Sequence, residues 1–391
     1  MTTFLKELVN ISSESRDSDG LEKVFNLLER KLSSINAEIK WISPKQKTEL
    51  SSNLALLQAS WMAKDNPSQN DDVFLICHLD TVYSSQNHRQ YEEVYDEQSQ
   101  KKIAYGAGVI DNKGGVVIGY LALKKLFEKN FFLKTKRNIH LLVSPSEEIG
   151  SPGFQDYFKE KSQEAEYVLG LEPALAGGNL ISSRRGNRFY HIFFKGNSVH
   201  TGRDFEKAAN PIEGLMQFYS LIESLRKKYE NLSISLNGLR AFPFVYNMSP
   251  SNLELLVDLR SASNELAKSF HEDLIVGINE IKFFSRDRLS RGEIEWSLVD
   301  DCPSFQSPIT PALEELKLMY ERHERSTLEF GESRGGSDCC YFSNSGNKNQ
   351  KVVDGLGPRG GAIHSQDEYL EIESLEKRSS ALSEFIETIC S

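Results

Sequence analysis

Histidine and acidic residues follow several apolar runs of this sequence, at the point where each run ends. They are His78 and Asp80 after residues 73–77, Glu147 and Glu148 after residues 139–143, and Glu172 after residues 167–171. Two further candidates, Asp111 and His364, lie in glycine-rich stretches. Zinc accepts histidine nitrogen and carboxylate oxygen as ligands, and no cysteine belongs to this group, so the pattern predicts a mixed nitrogen and oxygen metal site.

His78 and Asp80 are two residues apart at the end of a predicted strand, so their side chains can point to the same face. A histidine that binds a metal usually donates its other ring N–H to a carboxylate, which fixes the orientation of the ring. The pair therefore fits a metal ligand with its orienting partner. Taken alone, such a pair is more often incidental, and the hypothesis depends on the other candidates.

Asp111 lies in the glycine-rich residues 106–115, which superficially resemble a phosphate-binding loop. Asp111 takes the position of the third glycine of that motif, where a carboxylate would repel a pyrophosphate. The glycines instead allow a tight turn that projects Asp111 into a cleft, where its two oxygens can bridge two cations. The alternative is a surface turn in which Asp111 caps the following helix.

Glu147 and Glu148 are adjacent, and two carboxylates that face one pocket repel each other unless cations compensate them. Glu148 would then be a ligand and Glu147 a proton acceptor. A regular strand points adjacent side chains to opposite faces, so this hypothesis requires an irregular backbone. The alternative is a pair of exposed loop glutamates.

The elements that position these residues follow from the hydrophobic pattern. The apolar runs at residues 73–77, 139–143 and 167–171 predict strands, and residues 114–130 predict a helix between the first two. Strands that alternate with helices favour an α/β layer with a central mixed, largely parallel sheet flanked by helices. The candidate residues then lie at the carboxyl ends of successive strands, where open α/β sheets build their sites.

The pattern changes near residue 186. Strands are predicted at residues 189–195, 252–259 and 293–299, and helices at residues 208–228 and 264–281. This order indicates a small α+β domain with two helices on an antiparallel sheet. We predict that residues 186–303 form this domain, inserted into a catalytic domain made of residues 1–185 and 304–391 with further helices at residues 311–322 and 372–389 and a strand at residues 351–353.

The composition limits the classes of partner. A net charge of −10 without a run of lysines or arginines argues against nucleic acid, because phosphate binding needs clustered cations. No apolar run reaches about 18 residues, so no membrane span is expected, and the first residues lack the features of a secretory signal. We therefore expect a cytoplasmic protein. The five cysteines are odd in number and lack a CxxC pair, which predicts buried reduced thiols.

Seven segments of the chain, in order, resemble the zinc metallopeptidase family of aminoacylases, acetylornithine deacetylase, succinyl-diaminopimelate desuccinylase and bacterial glutamate carboxypeptidase. They are residues 78–82, 106–115, 146–153, 171–173, 196–212, 334–338 and 363–370. The resemblance covers nearly the whole chain. It implies a zinc-exopeptidase-like catalytic domain with an inserted ferredoxin-like lid that also forms a homodimer.

The resemblance also implies two zinc ions per subunit, with cobalt or manganese as alternatives. The ligands it implies are Asp111 as the bridge, His78 and Glu172 on one metal, and Glu148 and His364 on the other. Asp80 would orient His78, Glu147 would be the general base, and the peptide bond from Asp111 to Asn112 would be cis. A water molecule between the two cations would have a pKa near neutrality.

Residues of the inserted domain are implied to reach the substrate. His200 would stabilise the developing oxyanion in the site of the partner subunit, and Asn247 and Arg260 match positions near the substrate carboxylate. Arg334 precedes Gly335 and Gly336, where relatives often have a smaller residue. It either contacts a substrate carboxylate or lies on the surface.

The function that follows is hydrolysis of an amide bond next to a free carboxylate. We favour a glutamate-carboxypeptidase-like activity that releases the C-terminal residue of a peptide or an N-acyl amino acid. One alternative is an N-acetyl or N-succinyl amino-acid deacylase of the same family. Another is a catalytically silent metal-binding or interaction protein, although the presence of both Glu147 and His200 argues against it.

Overall fold

The structure is a computed structural model that describes residues 2–45, 55–64, 70–343, 347 and 349–391. The contacts within the chain divide it into two units. The first contains Met1–Arg184, Gln306–Ser333 and Ser337–Ser391, and the second contains Arg185–Phe305 and Arg334–Gly336. Most of the second unit is therefore an insertion into the chain of the first.

The helices and strands of the described residues are as follows. The helices are α1 (Thr2–Val9), α2 (Ser18–Ser33), α3 (Lys113–Glu128), α4 (Gln155–Lys161), α5 (Pro211–Lys228), α6 (Asn264–Glu280), α7 (Pro311–Glu324) and α8 (Ile372–Ile389). The strands are β1 (Glu38–Ile42), β2 (Leu56–Trp61), β3 (Asp72–His78), β4 (Glu92–Asp96), β5 (Lys101–Tyr105), β6 (Ile139–Ser144), β7 (Ala165–Gly170), β8 (Leu180–Arg184), β9 (Gly186–Lys195), β10 (Ser233–Phe242), β11 (Asn252–Ser261), β12 (Glu293–Cys302), β13 (Phe305–Gln306), β14 (Phe330–Ser333), β15 (Lys351–Val353), β16 (Gly360–Gly361) and β17 (Tyr369–Glu371). The predicted strand at residues 351–353 and the predicted helix at residues 372–389 coincide with β15 and α8.

The central sheet of the first unit has the strand order β1-β2-β6-β3-β7-β15. The strands from β6 to β15 pair in parallel, whereas β2 pairs antiparallel with both β1 and β6. Every residue of β3 and β6 is buried, as expected for strands of a parallel sheet covered on both faces. The prediction of a mixed, largely parallel sheet is confirmed.

Two features of this unit bring the candidate residues together. The carboxyl ends of β3, β6 and β7 lie at one edge of the sheet, because these strands are parallel neighbours. In a second, antiparallel sheet, Tyr369 of β17 lies opposite Tyr105 of β5. This pairing places the start of the glycine-rich residues 106–115 beside Glu368. The fold therefore gathers segments that are far apart in the sequence.

The second unit follows the order β9-α5-β10-β11-α6-β12, and its antiparallel sheet has the strand order β10-β11-β9-β12. The side chains of Asn210 and Ser263 cap α5 and α6 by accepting backbone N–H groups of the first turn. The core contains Phe218 of α5 and Phe270 of α6. This arrangement confirms the predicted ferredoxin-like α+β fold.

The sequence pattern did not predict β2, and the reason is visible in its packing. Gln58 and Ser60 interrupt the apolar run, yet both are buried. Ser60 Oγ lies 2.8 Å from Nδ1 of His140 on the neighbouring strand, and Tyr157 donates a hydrogen bond to Gln58. A buried polar side chain is tolerated when it is hydrogen-bonded, and these partners cannot be read from the local sequence.

The five cysteines are all free and buried, which confirms the prediction of reduced thiols. No helix in the described part of the chain combines the length and the apolar character that a transmembrane span requires.

Candidate metal centre

The carboxylate of Asp111 faces two histidines, one with each of its oxygens. Oδ1 lies 3.1 Å from Nε2 of His78, and Oδ2 lies 3.4 Å from Nε2 of His364. His78 is buried at the end of β3, whereas the side chain of His364 is 51% exposed. Each oxygen of Asp111 therefore faces a different histidine, one buried and one half-exposed.

Each histidine has a second carboxylate beside it. Glu172 Oε1 lies 3.5 Å from Nε2 of His78, and Glu148 Oε2 lies 3.1 Å from Nε2 of His364. Ligand atoms of His78, Asp111 and Glu148 also lie within 4.8 Å of one another. The five predicted ligands thus form two donor sets that share Asp111, and each set combines imidazole with carboxylate.

The charges of these groups fit a cation. Burial raises the pKa of Glu148 to about 7, and the negative charge of Asp111 adds to that increase. Burial also raises the pKa of Glu172 to about 8, although His78 acts in the opposite direction. Buried carboxylates this close together repel one another unless a positive charge compensates them. Imidazole and carboxylate donors suit zinc, so the residues fit divalent metal ions of that type.

The glycine-rich segment does not use Asp111 as a helix cap. Asn112, not Asp111, is the N-cap residue of α3, so the alternative interpretation of Asp111 is wrong. The peptide bond between them is cis, as the resemblance implied. The side-chain amide of Asn112 donates to Glu172 Oε1 at 2.7 Å, which orients the carboxylate of Glu172.

Asp80 contacts Nδ1 of His78, the ring nitrogen that does not face Asp111. Nδ1 of His78 lies 3.1 Å from the backbone carbonyl oxygen of Asp80 and 3.3 Å from Oδ1 of its carboxylate. The same carboxylate accepts the backbone N–H of Glu147 at 3.0 Å and that of Glu148 at 3.1 Å, and Ser15 donates to it at 2.7 Å. Asp80 therefore also holds the turn that carries both glutamates, a role that its spacing from His78 did not indicate.

The two glutamates lie on an irregular backbone, as predicted. Residues Glu147–Ile149 form a single 3₁₀ turn, and Gly150 ends it with a φ of 84°, a conformation that favours glycine. Oε2 of Glu147 lies 3.8 Å from Nε2 of His78. Burial raises the pKa of Glu147 well above its ordinary value.

Two predicted substrate residues of the second unit lie together beyond the end of β9. The N–H of Thr201 donates to the carbonyl of Asn247 at 3.0 Å, and His200 forms an isolated antiparallel bridge with Met248. The ring Nδ1 of His200 accepts the N–H of Gly202 at 3.2 Å.

The other predicted substrate residues of this unit lie at the opposite end of β9. Arg260 is paired in register with Asn187, and its Nε donates to Asp258 at 2.8 Å. The backbone of Gly336 lies close to Asn187, because a Cβ placed on Gly336 would lie 2.9 Å from Oδ1 of Asn187. A glycine at position 336 avoids this contact. Arg334, which precedes Gly335 and Gly336, is exposed.

Comparison with known families agrees with this geometry. Residues 74–388 match the peptidase family M20/M25/M40. The chain belongs to this family. Family membership confirms the resemblance drawn from the motifs, and it makes the protein a metal-dependent hydrolase of the M20 type.

Several M20 relatives resemble the chain over most of its length. Carboxypeptidase G2 of Pseudomonas sp. strain RS-16 is 25% identical over 379 residues, which cover 96% of this chain and 85% of the relative. Succinyl-diaminopimelate desuccinylase of Hydrogenovibrio crunogenus is 24% identical over 293 residues, with 70% and 72% covered. The M20 family metallo-carboxypeptidase of Sulfolobus solfataricus has a TM-score of 0.74 at 16% identity, with 99% and 98% covered, which shows a common fold.

Glu368 is a residue of this M20 site that the sequence analysis gave no role. It is buried, and its carboxylate accepts the backbone N–H groups of Gly108, Ile110 and Asp111 at 3.0–3.2 Å. It also follows His364 by four residues, so one short segment carries His364 and contacts the loop of Asp111. Its position four residues after His364 was the only signal in the sequence. The backbone N–H groups that it binds lie about 260 residues earlier in the chain.

We expect Glu368→Gln to weaken metal binding. The amide has only one acceptor oxygen, so at least one of the three N–H groups of the Asp111 loop is left without its partner. Loss of such supporting contacts typically costs about 10- to 100-fold in metal affinity or activity. Zinc competition with a chelator measures the change, and Glu97→Gln, in the exposed turn between β4 and β5, is the control. Equal zinc affinity in both variants would contradict this role.

Proposed function

We propose that the protein is a two-zinc hydrolase that cleaves an amide bond adjacent to a free carboxylate. The observation that carries this proposal is the position of Asp111, whose two oxygens face two separate sets of histidine and carboxylate donors. His78 and Glu172 would hold one metal, and Glu148 and His364 the other. A site for one structural zinc ion would need only one of the two donor sets that face the carboxylate of Asp111.

The side chains around these donors support hydrolysis. When bound, the metals would supply Lewis-acid chemistry and bring the pKa of a coordinated water molecule near neutrality. Glu147 lies beside His78 and is not needed as a ligand, so it is free to take a proton from the attacking water and to give it to the leaving nitrogen. Asp80 would keep both His78 and Glu147 in place.

The substrate class is proposed from the relatives. The name of carboxypeptidase G2 describes a carboxypeptidase, and this relative covers 96% of the chain. We therefore propose the release of a C-terminal residue from a peptide or an N-acyl amino acid, with glutamate foremost because residues 146–153 and 171–173 resemble bacterial glutamate carboxypeptidase. The desuccinylase supports the second candidate, removal of an acyl group from an amino acid.

A substrate panel tests this proposal. The zinc-loaded protein is incubated with N-acyl amino acids and dipeptides that differ only in the C-terminal residue, and release of the free amino acid is measured. We expect the highest kcat/KM for C-terminal glutamate, together with two zinc ions per chain by metal analysis. A protein that takes up no metal would overturn the proposal, and preference for acetyl or succinyl amino acids would favour the deacylase.

We also propose that residues 186–303 act as a lid that completes the site of a second subunit. β9 is 10 residues long, so its ends lie about 30 Å apart at ~3.3 Å per residue. His200 and Asn247 lie at one end of this strand, and Arg260 and Gly336 at the other. One copy of the unit cannot bring both groups to the same substrate, whereas two copies in a homodimer can.

Subunit mixing tests this arrangement. Glu147→Ala and His200→Ala are each expected to have little activity as pure proteins. When the two are mixed and allowed to exchange subunits, one kind of site regains both residues, so activity should rise. Mixing two preparations of Glu147→Ala is the control. If the mixture stays as inactive as its components while exchange is demonstrated, His200 does not act across subunits.

A further inference from the structure

A buried carboxylate behind the candidate site binds more partners than any local turn requires. Asp354 directly follows β15 and has no exposed surface. Its Oδ1 accepts the N–H of Glu172 at 3.3 Å and that of Gly355 at 2.7 Å. Its Oδ2 accepts Nε of Arg184 at 2.7 Å and the hydroxyl of Ser337 at 2.8 Å. Each oxygen therefore accepts two hydrogen bonds, and the four donors come from four different residues.

The residues around Asp354 accommodate its carboxylate closely. A Cβ at Gly170 would lie 2.1 Å from Oδ1 of Asp354, so the close approach of the carboxylate requires a glycine there. The guanidinium of Arg184 also donates to the hydroxyl of Ser333 at 3.2 Å. Through these two side chains, the ion pair holds Ser333 and Ser337, which flank residues 334–336 in the chain.

Stability alone does not account for this pair. The side chains of Arg184 and Asp354 are 6% and 0% exposed, and both charges have lost their hydration. The replacement of such buried ion pairs by apolar residues is often neutral or stabilising. The free energy lost by removing the two charges from water offsets much of the free energy gained from their attraction. The Arg184–Asp354 pair is better explained by the residues that it holds in place, which are Glu172, Ser333 and Ser337.

We propose that Asp354, paired with Arg184, is a positioning residue that holds the metal ligand Glu172 and residues 333–337 in one arrangement. This inference rests on the proposed role of Glu172 as a zinc ligand. The carboxylate fixes the backbone from which Glu172 projects, and Asn112 fixes its side chain. Zinc affinity and the order of residues 333–337 then depend on the same buried group.

The test compares zinc affinity in Asp354→Asn and Arg184→Lys. Asparagine offers one acceptor oxygen and would turn its NH₂ group towards donors on one side, so either Glu172 or Arg184 loses its partner. Lysine keeps the charge but lacks the planar fork that reaches both Asp354 and Ser333. We expect zinc binding, measured by competition with a chelator, to weaken by about 10- to 100-fold in Asp354→Asn and by less in Arg184→Lys.

Hydrogen exchange supplies a second measurement that needs no substrate. Peptides that cover residues 333–338 should exchange faster in both variants than in the wild type. The matched control is Glu166→Gln, which breaks the pairing of another carboxylate of this unit with Arg137 and Lys351 near the start of β7. The control is expected to keep both the zinc affinity and the exchange of residues 333–338.

The outcomes separate this inference from the proposed function. A wild-type protein that binds no zinc would overturn the proposed function and this inference with it. Wild-type zinc binding, with unchanged zinc affinity and unchanged exchange in folded Arg184→Lys and Asp354→Asn, would overturn this inference alone. If Asp354→Asn does not fold, the lysine variant, which retains the charge pair, decides the matter in the same way.

Discussion

Glu147→Ala should retain its metals and lose its turnover. The carboxylate lies 3.8 Å from Nε2 of His78, and the two donor sets around Asp111 are complete without it. Proton transfer by a positioned side chain contributes about 10²- to 10⁴-fold to a rate, so we expect kcat to fall by that factor. Metal analysis and kcat, measured on the same preparation, separate the loss of a base from the loss of a ligand.

The structure offers a close control for this variant. Glu160, on α4 of the same unit, is exposed and pairs with Lys45 at the surface. Glu160→Ala should therefore leave kcat unchanged. Persistent activity in Glu147→Ala would show that another group takes the proton. Loss of metal from this variant would show instead that Glu147 is a ligand, and it would move the general base elsewhere.

The strands around the site could be predicted because their residues face a core on both sides. A strand buried on both faces is largely apolar, and β3, β6 and β7 show such runs although His140 lies in β6 and the partly buried Glu166 in β7. The chain leaves the core at the carboxyl end of each run, so a histidine or an acid at that position projects at the edge of the sheet. This reasoning placed His78 and Glu172 correctly at the ends of β3 and β7.

The supporting residues could not be found in the same way. Glu368 and Asp354 are acids without an unusual local pattern, and their role comes from backbone N–H groups that only the fold brings to them. Asp80 was expected to orient His78, but its two hydrogen bonds to the turn at Glu147 depend on the path of the chain after β6. Carboxylates that bind distant backbone groups leave no periodic signal in a sequence.

Asp111→Asn should remove at least one metal and abolish most of the activity. A carboxylate offers an acceptor oxygen to each of the two donor sets, whereas the amide offers one oxygen and an NH₂ group that cannot bind a cation. Metal ions typically supply several kcal/mol of stabilisation to a hydrolytic transition state, and each 1.36 kcal/mol is a tenfold change in rate. We therefore expect kcat/KM to fall roughly 10³-fold or more.

The measurement is metal content together with kcat/KM, and Asp96→Asn, at the partly buried last residue of β4, is the control. The substitution is nearly isosteric, and Asp111 makes its side-chain contacts with His78 and His364, so the fold has little reason to change. Two metals and full activity in Asp111→Asn would show that this residue does not bridge. One metal with residual activity would show that a single donor set suffices, and Glu148→Gln would then identify which set it is, because Glu148 lies beside His364 and not beside His78.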